Sequence, residues 1–432
     1  MSTGATPIGV GMLGCGVVGA GVVKLLQDKS ALYAHRTGRR IELAKVGVRD
    51  PHKDRGVALD AALLTTDLHA VTTDPDVDIV VELMGGTEPA VELMLEAIRH
   101  GKHVVTANKE AIAKFGREIF TAANEMGVDV YFEASVGGGI PVIQPFKRSL
   151  IANEVTELAG IINGTTNYIL TAMTEQARDL ADVLDEAQRL GYAEADPTAD
   201  VDGHDAKYKL AILASLIFGC RIDVDQIHCE GIRGVTATDI AYAKQFGYVI
   251  KLLAKAAQHE RGIEARVHPC LVPVGHPMAA VNGVYNALFL KGDAVGDVML
   301  YGRGAGQMPT ASAVVSDILN IASDITAAKS SRLMACQHNH TGTLLPMSET
   351  ISQFYLRLST HDRPGVLGFV GSGLGQHGIS IETFVQSRVT GGLAEMVFIT
   401  RPAREADIQH ALTQLKASDS VHDVSSVLRV GP

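Results

Sequence analysis

The sequence predicts an α/β chain in three parts. These are an N-terminal Rossmann-type parallel sheet, a middle α+β domain, and a C-terminal ferredoxin-like βαββαβ unit. Three observations predict it. From about residue 7 to 141, β-rich runs alternate with helical stretches, and the runs are continuously apolar, as in strands buried on both faces. A G-x-G-x-x-G run, Gly14-Cys15-Gly16-Val17-Val18-Gly19, follows the first of them and opens a helix. The last segment, 351–432, carries strand and helix patterns in βαββαβ order.

Taken in order, 8–13, 41–48, 79–84, 104–106 and 128–132 read as buried strands, and 17–27, 90–99 and 109–125 as helices. Beyond 152 the character changes. Strand-like pieces at 154–162, 263–271 and 287–292 are mixed with helical patterns at 179–190, 205–218 and 314–323. The stretch 342–350 reads as a linker. After it come a strand at 353–358, a helix from 365, strands at 379–386 and 394–400, a helix at 405–415 and a strand at 426–430. The domains are therefore placed at 1–141, 142–341 and 351–432.

Composition bounds the function. At roughly 150 residues per domain, 432 residues suit about three domains. Hydrophobic residues make up 46%, enough for more than one core, which excludes a disordered chain. Thirty-eight Lys and Arg against 48 Asp and Glu give −10, which argues against nucleic acid and anionic membranes as partners. The five cysteines, Cys15, Cys220, Cys229, Cys270 and Cys336, are scattered without a C-x-x-C and read as free thiols of a reducing compartment. No signal-like segment opens the chain, and the longest apolar run, 210–220, is too short to span a bilayer. A cytoplasmic protein is expected.

The glycine run can turn tightly, let a pyrophosphate approach the backbone, and present helix N–H donors to it. The alternative is a purely structural turn. The second strand ends Val48-Arg49-Asp50, with Lys53 and Arg55 nearby. Arg49 favours a 2′-phosphate and so NADP, while an acidic residue at that place suits NAD; an ordinary charged turn is the bland reading.

One loop concentrates polar chemistry: Glu194, Asp196, Asp200, Asp202 and His204 lead into Asp205 and Lys209, which are four apart on one helix face. A plain i,i+4 ion pair would explain the last two. Lys209, however, borders one of the most apolar runs of the chain, where a lysine needs an acidic partner and becomes a tunable proton donor. A second lysine, Lys109, follows the strand at 104–106, at the edge where ligands collect in open α/β sheets. Cys336-Gln337-His338-Asn339-His340, with His268, Cys270 and His276 upstream, matches no zinc module, so no metal site is expected there.

Together these motifs resemble the homoserine dehydrogenase family, in the monofunctional form with a C-terminal ACT domain. The residues that carry the resemblance are G-C-G-V-V-G, E-L-M-G-G-T, T-A-N-K-E, E-A-S-V-G-G-G-I-P, N-G-T-T-N, G-Y-A-E-A-D-P-T-A-D-V-D-G-H-D-A-K-Y-K-L and Y-G-R-G-A-G. The resemblance implies reduction of L-aspartate 4-semialdehyde to L-homoserine with NAD(P)H, on the path to threonine, methionine and isoleucine. It implies Lys209 as the proton donor, Asp205 as its orienting partner, and Glu194 and Asp200 as contacts for the substrate. Lys109 would stand at the cofactor–substrate junction and share the proton role. Gly14, Gly16, Val17, Val18, Gly19, Arg49, Thr87, Lys109 and Gly304 would hold the cofactor. Glu133 with the carbonyls of Val136, Gly138 and Ile140 would ring a sodium ion.

The stretch 360–367, T-H-D-R-P-G-V-L, resembles the ACT signature, whose turn receives a small amino acid. Threonine is the implied effector, and pairing of such units between chains implies a homodimer or homotetramer. Two other readings stand beside this one. One is an ACT-bearing 2-hydroxyacid dehydrogenase, which would need an internal Rossmann domain and a His-Glu-Arg set. The other is a non-catalytic sensor of NADP and an amino acid.

Overall fold

The computed structural model describes residues 6–327, 336, 340–388 and 391–432. The chain forms two units, one of 1–155, 211–225 and 291–342, the other of 156–210, 226–290 and 343–432.

In the first unit the apolar runs pair into a parallel sheet. Its spatial order is Leu64–Thr65, Ile41–Gly47, Ile8–Leu13, Ile79–Glu82, His103–Thr106 and Val130–Tyr131. This is the 3-2-1-4-5-6 order of a dinucleotide-binding sheet. Ile8, Val10, Met12, Ile79, Val81 and Val105 are fully buried, each such aliphatic side chain contributing about 1.5–3 kcal/mol. Helix Gln307–Ala327 returns to pack beside helix Val17–Asp28, close enough that a Cβ at Gly21 would lie 2.9 Å from that of Ala311. Helix Lys109–Met126 is bounded by chemistry legible in the sequence. Asn108 Oδ1 accepts from the Ala111 amide at 3.0 Å at one end, and Gly127 adopts φ +66° at the other.

The second unit is built on a mixed sheet running Tyr285–Gly292, Val155–Ile161, Tyr248–His259, Gly262–Pro273, Val421–Val430, Ile351–His361, Leu393–Thr400, Ile381–Arg388. The last four, with helices Val366–Gln376 and Glu405–Lys416, are the expected βαββαβ unit. That unit is not hung on a free linker. Cys270 and Leu271 pair in parallel with Arg429 and Val430, so its last strand continues the central sheet. Within the stretch expected to be a linker, Thr343 O accepts from Ile263 N and Leu345 N donates to Ile263 O, both at 2.8 Å.

Strand Tyr248–His259 was not legible. Its sequence, YVIKLLAKAAQH, is rich in good helix formers, yet it pairs along its whole length with Gly262–Pro273. Tertiary context overrides propensity here, and Lys251 ends up 2% exposed, bonded to Val281 O, Asn167 Oδ1 and Asn282 Oδ1. The strand expected at 128–132 shortens to Val130–Tyr131, because the chain turns into a 3-10 helix, Glu133–Ser135.

Candidate active site

In the first unit the three glycines of the loop have separate uses. Gly14 adopts φ +95°, donates to Gly47 O at 2.9 Å, and a Cβ there would meet Leu83 O at 3.0 Å. A Cβ at Gly19 would come 2.8 Å from Gly14 O, so the helix packs tightly on the turn. Gly16, at the N-cap of helix Val17–Asp28, has open space where its Cβ would be. Of the three glycines, the middle one has room for a ligand, as a pyrophosphate site needs.

The cleft beside it encloses about 750 Å³ and is lined by Gly14, Gly16, Arg49, Lys53, Arg55 and Glu88 among others. Asp50 Oδ1 accepts from the His52 amide at 2.8 Å, turning that oxygen toward its own loop. Val17 and Val18 begin the helix. Thr87, Lys109 and Gly304 do not line the cleft. Two strand ends are locked together nearby. Glu82, fully buried, accepts from the Met84 amide at 2.7 Å and from Thr106 Oγ1 at 2.7 Å, while Asn108 Nδ2 donates to Gly86 O at 2.6 Å. The E-L-M-G-G-T and T-A-N-K-E motifs thus hold each other, and they present Lys109, half-buried, at the first turn of its helix.

Glu133 is held in its own segment. Its carboxylate accepts from backbone amides: Oε1 from Val142 and Ile143, Oε2 from Gln144 at 2.8 Å. Burial pushes this carboxyl up, and the three amides offset part of that rise. The side chain therefore anchors the turn, and an oxygen that accepts one amide keeps a lone pair for a cation. The carbonyls of Val136, Gly138 and Ile140 add a donor set on a turn where Gly137 and Gly138 have φ of +77° and +55°. Oxygen donors of that kind suit a hard monovalent ion. Gly304 packs against this turn: a Cβ at Gly138 would sit 2.3 Å from Gly304 O.

In the second unit the polar loop and the lysine converge. Lys209 Nζ lies 2.6 Å from Asp205 Oδ2 and donates to Ile162 O at 2.8 Å, with only 12% and 7% of the two side chains exposed. Asn163 Nδ2 reaches Asp205 Oδ2 at 2.9 Å and Asp200 Oδ1 at 2.6 Å. Lys209, Asp205 and Asp200 are thus brought together. Glu194 is exposed on the loop, its carbonyl accepting from Gln188 Nε2 at 3.0 Å. Ion-paired, half-buried and hydrogen-bonded to Ile162 O, the lysine has a fixed direction and a fixed partner.

Chain comparisons bear on what this site belongs to. Residues 14–133 match the homoserine dehydrogenase NAD-binding domain, 141–319 match homoserine dehydrogenase, and 354–419 match the ACT domain. The homoserine dehydrogenase of Synechocystis sp. is 50% identical, over 98% of this chain and 99% of its own. The chain belongs to the homoserine dehydrogenase family. It is an NAD(P)-dependent oxidoreductase. The Pseudomonas aeruginosa homoserine dehydrogenase is 45% identical over 96% of each chain. The crystal structure of a homoserine dehydrogenase from Thiobacillus denitrificans superposes with a TM-score of 0.93 at 44% identity, over 98% of each chain. A hyperthermophilic archaeal homoserine dehydrogenase in complex with NADPH covers 73% of this chain and 97% of its own, with a TM-score of 0.63 at 26% identity.

Two asparagines of N-G-T-T-N were not singled out in the sequence as site residues. Asn163 caps helix Gly164–Gln176 and faces two carboxylates; Asn167 takes three carbonyls, Val281, Gly283 and Tyr285, and is structural. The available signal was an N-cap residue just after a strand. Of the ligand-rich stretch near the end of the second expected domain, Gln337, His338 and Asn339 lie outside the described residues. Among the described residues no group of three or more His, Cys, Asp or Glu could hold a metal.

Proposed function

We propose that the enzyme reduces L-aspartate 4-semialdehyde to L-homoserine with NADPH, serving threonine, methionine and isoleucine synthesis. The observation that carries this is the buried Lys209–Asp205 pair with Asp200 beside it. The nicotinamide, when bound, supplies the hydride that adds to the aldehyde carbon. As the carbonyl π pair moves to oxygen, Lys209 Nζ gives that oxygen a proton and later regains one from solvent. Asp205 keeps Nζ aimed and charged. Asp200 and exposed Glu194 take the substrate's ammonium. Lys109 has a share in holding substrate or proton in this reading.

The backbone of Gly14, Gly16, Val17, Val18 and Gly19 would hold the pyrophosphate, with Thr87, Lys109 and Gly304 as further cofactor contacts. Arg49 beside Lys53 and Arg55 would take a 2′-phosphate, which favours NADP over NAD. A sodium ion at Glu133 and the carbonyls of Val136, Gly138 and Ile140 would be structural, and no step passes through it. The functional division 1–141, 142–341 and 351–432, a cytoplasmic setting and a homodimer or homotetramer complete the reading.

Regulation by an amino acid, threonine first, at the 362–366 turn belongs to the same proposal. What supports it is the segment 230–236. On one side Arg429 Nη1 bonds Glu230 and Arg357 Nη2 bonds Thr236 Oγ1 at 3.2 Å. On the other, Ile232 N donates to Val201 O at 2.8 Å and Arg233 pairs with Asp202. The βαββαβ unit and the substrate loop therefore grip one short segment, a material link between two sites. The deciding experiment is NADPH oxidation with aspartate semialdehyde, run beside NADH. Rapid, NADPH-preferring turnover is expected; no oxidation with this aldehyde would overturn the proposal.

A further inference from the structure

We infer that Asn163 is a positioning residue that assigns the two carboxylates of the site to different tasks. Its side-chain amide has four hydrogen-bonding valences, and the structure fills all four. The two N–H bonds go to Asp205 Oδ2 at 2.9 Å and Asp200 Oδ1 at 2.6 Å. The oxygen accepts from the Thr166 amide at 2.8 Å and Thr166 Oγ1 at 2.9 Å. The amide orientation is therefore forced, since a flipped amide would set its oxygen against two carboxylates. Asn163 is 5% exposed and stands at the joint between strand Val155–Ile161 and helix Gly164–Gln176, so its position is that of the fold itself.

The consequence is a division of charge. Asp205 Oδ2 is shared between Asn163 and Lys209, which commits that carboxylate to the lysine. Asp200 is held by a neutral donor, so its charge is kept and not cancelled. Two carboxylates against one ammonium leave the cluster with one negative charge over, the complement of a substrate's α-ammonium group. Asn163 thereby sets the direction of the proton donor through Asp205 and the place of the ammonium contact through Asp200. Ile162 O, the residue before it, also receives Lys209 Nζ, so one turn of backbone fixes both partners of the lysine.

The inference rests on the reduction proposed above, and its test separates the two. Asn163→Ser keeps a capping oxygen for helix Gly164–Gln176 but cannot donate to both carboxylates. Its kcat should fall about 100-fold, the scale of a small misplacement of a reacting group, and KM for aspartate semialdehyde should rise. Losing a donor to the charged form raises a carboxyl's pKa, so the acid limb of kcat/KM should move to higher pH. Asn163→Ala removes the cap as well, and should match the serine variant in kinetics while melting lower. Kinetics and acid limb unchanged in the serine variant, with losses only in the alanine variant, would reduce Asn163 to a helix cap and overturn the inference. An inactive parent enzyme would instead overturn the substrate. Carbon-13 NMR titration of the carboxyls then still decides Asn163: an upward shift in the serine variant supports it, and no shift sinks it.

Discussion

Asp239, with no exposed surface, accepts from Arg357 Nε at 2.8 Å, joining helix Ala237–Gln245 to strand Ile351–His361. Tyr355 donates its hydroxyl to the same carboxylate at 3.1 Å, and Thr236 completes a capping box with it. Removing Asp239 leaves Arg357 its second ion pair, with Glu395 at 2.9 Å, but takes the acceptor from Arg357 Nε and from the Tyr355 hydroxyl. Asp239→Ala should cost roughly 1–3 kcal/mol for each buried donor so stranded, read as a large drop in denaturation midpoint. A loss below about 1 kcal/mol, the scale of an exposed pair, would show that the buried contact contributes little.

The same joint qualifies how regulation is tested. Cutting the chain after 341 would strip the partners of Asp239 and Glu230 and bare the edge of Gly262–Pro273, so the truncated protein should be unstable as well as unregulated. The full-length enzyme is the better subject. Threonine should lower its activity, with a coupling of about 1–3 kcal/mol between the two sites. If millimolar threonine and the other aspartate-family amino acids leave the rate unchanged, the βαββαβ unit is structural.

Lys209→Ala should reduce kcat at least about 100-fold, the scale for a positioned general acid, with NADPH affinity nearly unchanged. Near-normal turnover would move the proton donor to Lys109 or to water. Glu194→Ala should act mainly through KM, because it is an exposed loop residue lost from ground-state and transition-state binding alike.

Arg49→Ala should weaken use of NADPH far more than of NADH, since only the former has a phosphate for the guanidinium to grip. Equal losses with both cofactors would make Arg49 a surface residue of the cleft, and the preference for NADP would fall with it.

Asp317, buried on helix Gln307–Ala327, accepts from the Glu133 amide at 2.9 Å, with the Gln144 side chain beside it. Burial first, and the neighbouring Glu133 charge second, push its carboxyl well above the ordinary range. The folded state therefore holds this proton more tightly than the unfolded chain does. Its contribution is present below the unfolded pKa and is lost as pH rises through the folded one. Asp317→Asn should accordingly raise the melting temperature near neutral pH and do little at pH about 4, close to the unfolded carboxyl's pKa. Destabilisation of equal size at both pH values would show that the charge state of the carboxyl plays no part.

Much was legible before any coordinates. Continuous apolar runs fix a parallel sheet because both faces must be buried, and the spacing of Gly14, Gly16 and Gly19 marks a phosphate turn because a Cβ at Gly14 or Gly19 would crowd the backbone while Gly16 keeps open space for a ligand. Asp205 and Lys209 meet because a helix brings residues four apart onto one face. These are local rules, and local rules can be read from a string.

The tertiary structure decided what depends on distant partners. Tyr248–His259 became a strand against its own propensity because Gly262–Pro273 supplies a full ladder of backbone bonds and buries the apolar face. The carboxylate of Glu133 is held by three amides, 142–144, that a chain reversal carries back to it. Asn163 could not be singled out because its two carboxylates lie far along the sequence, and nothing local records that they return. The C-terminal unit reads as separate in sequence, since a linker-like stretch precedes it. Only the pairing of Cys270 and Leu271 with Arg429 and Val430 makes it part of one sheet, because backbone pairing needs no sequence signal that either strand could display alone.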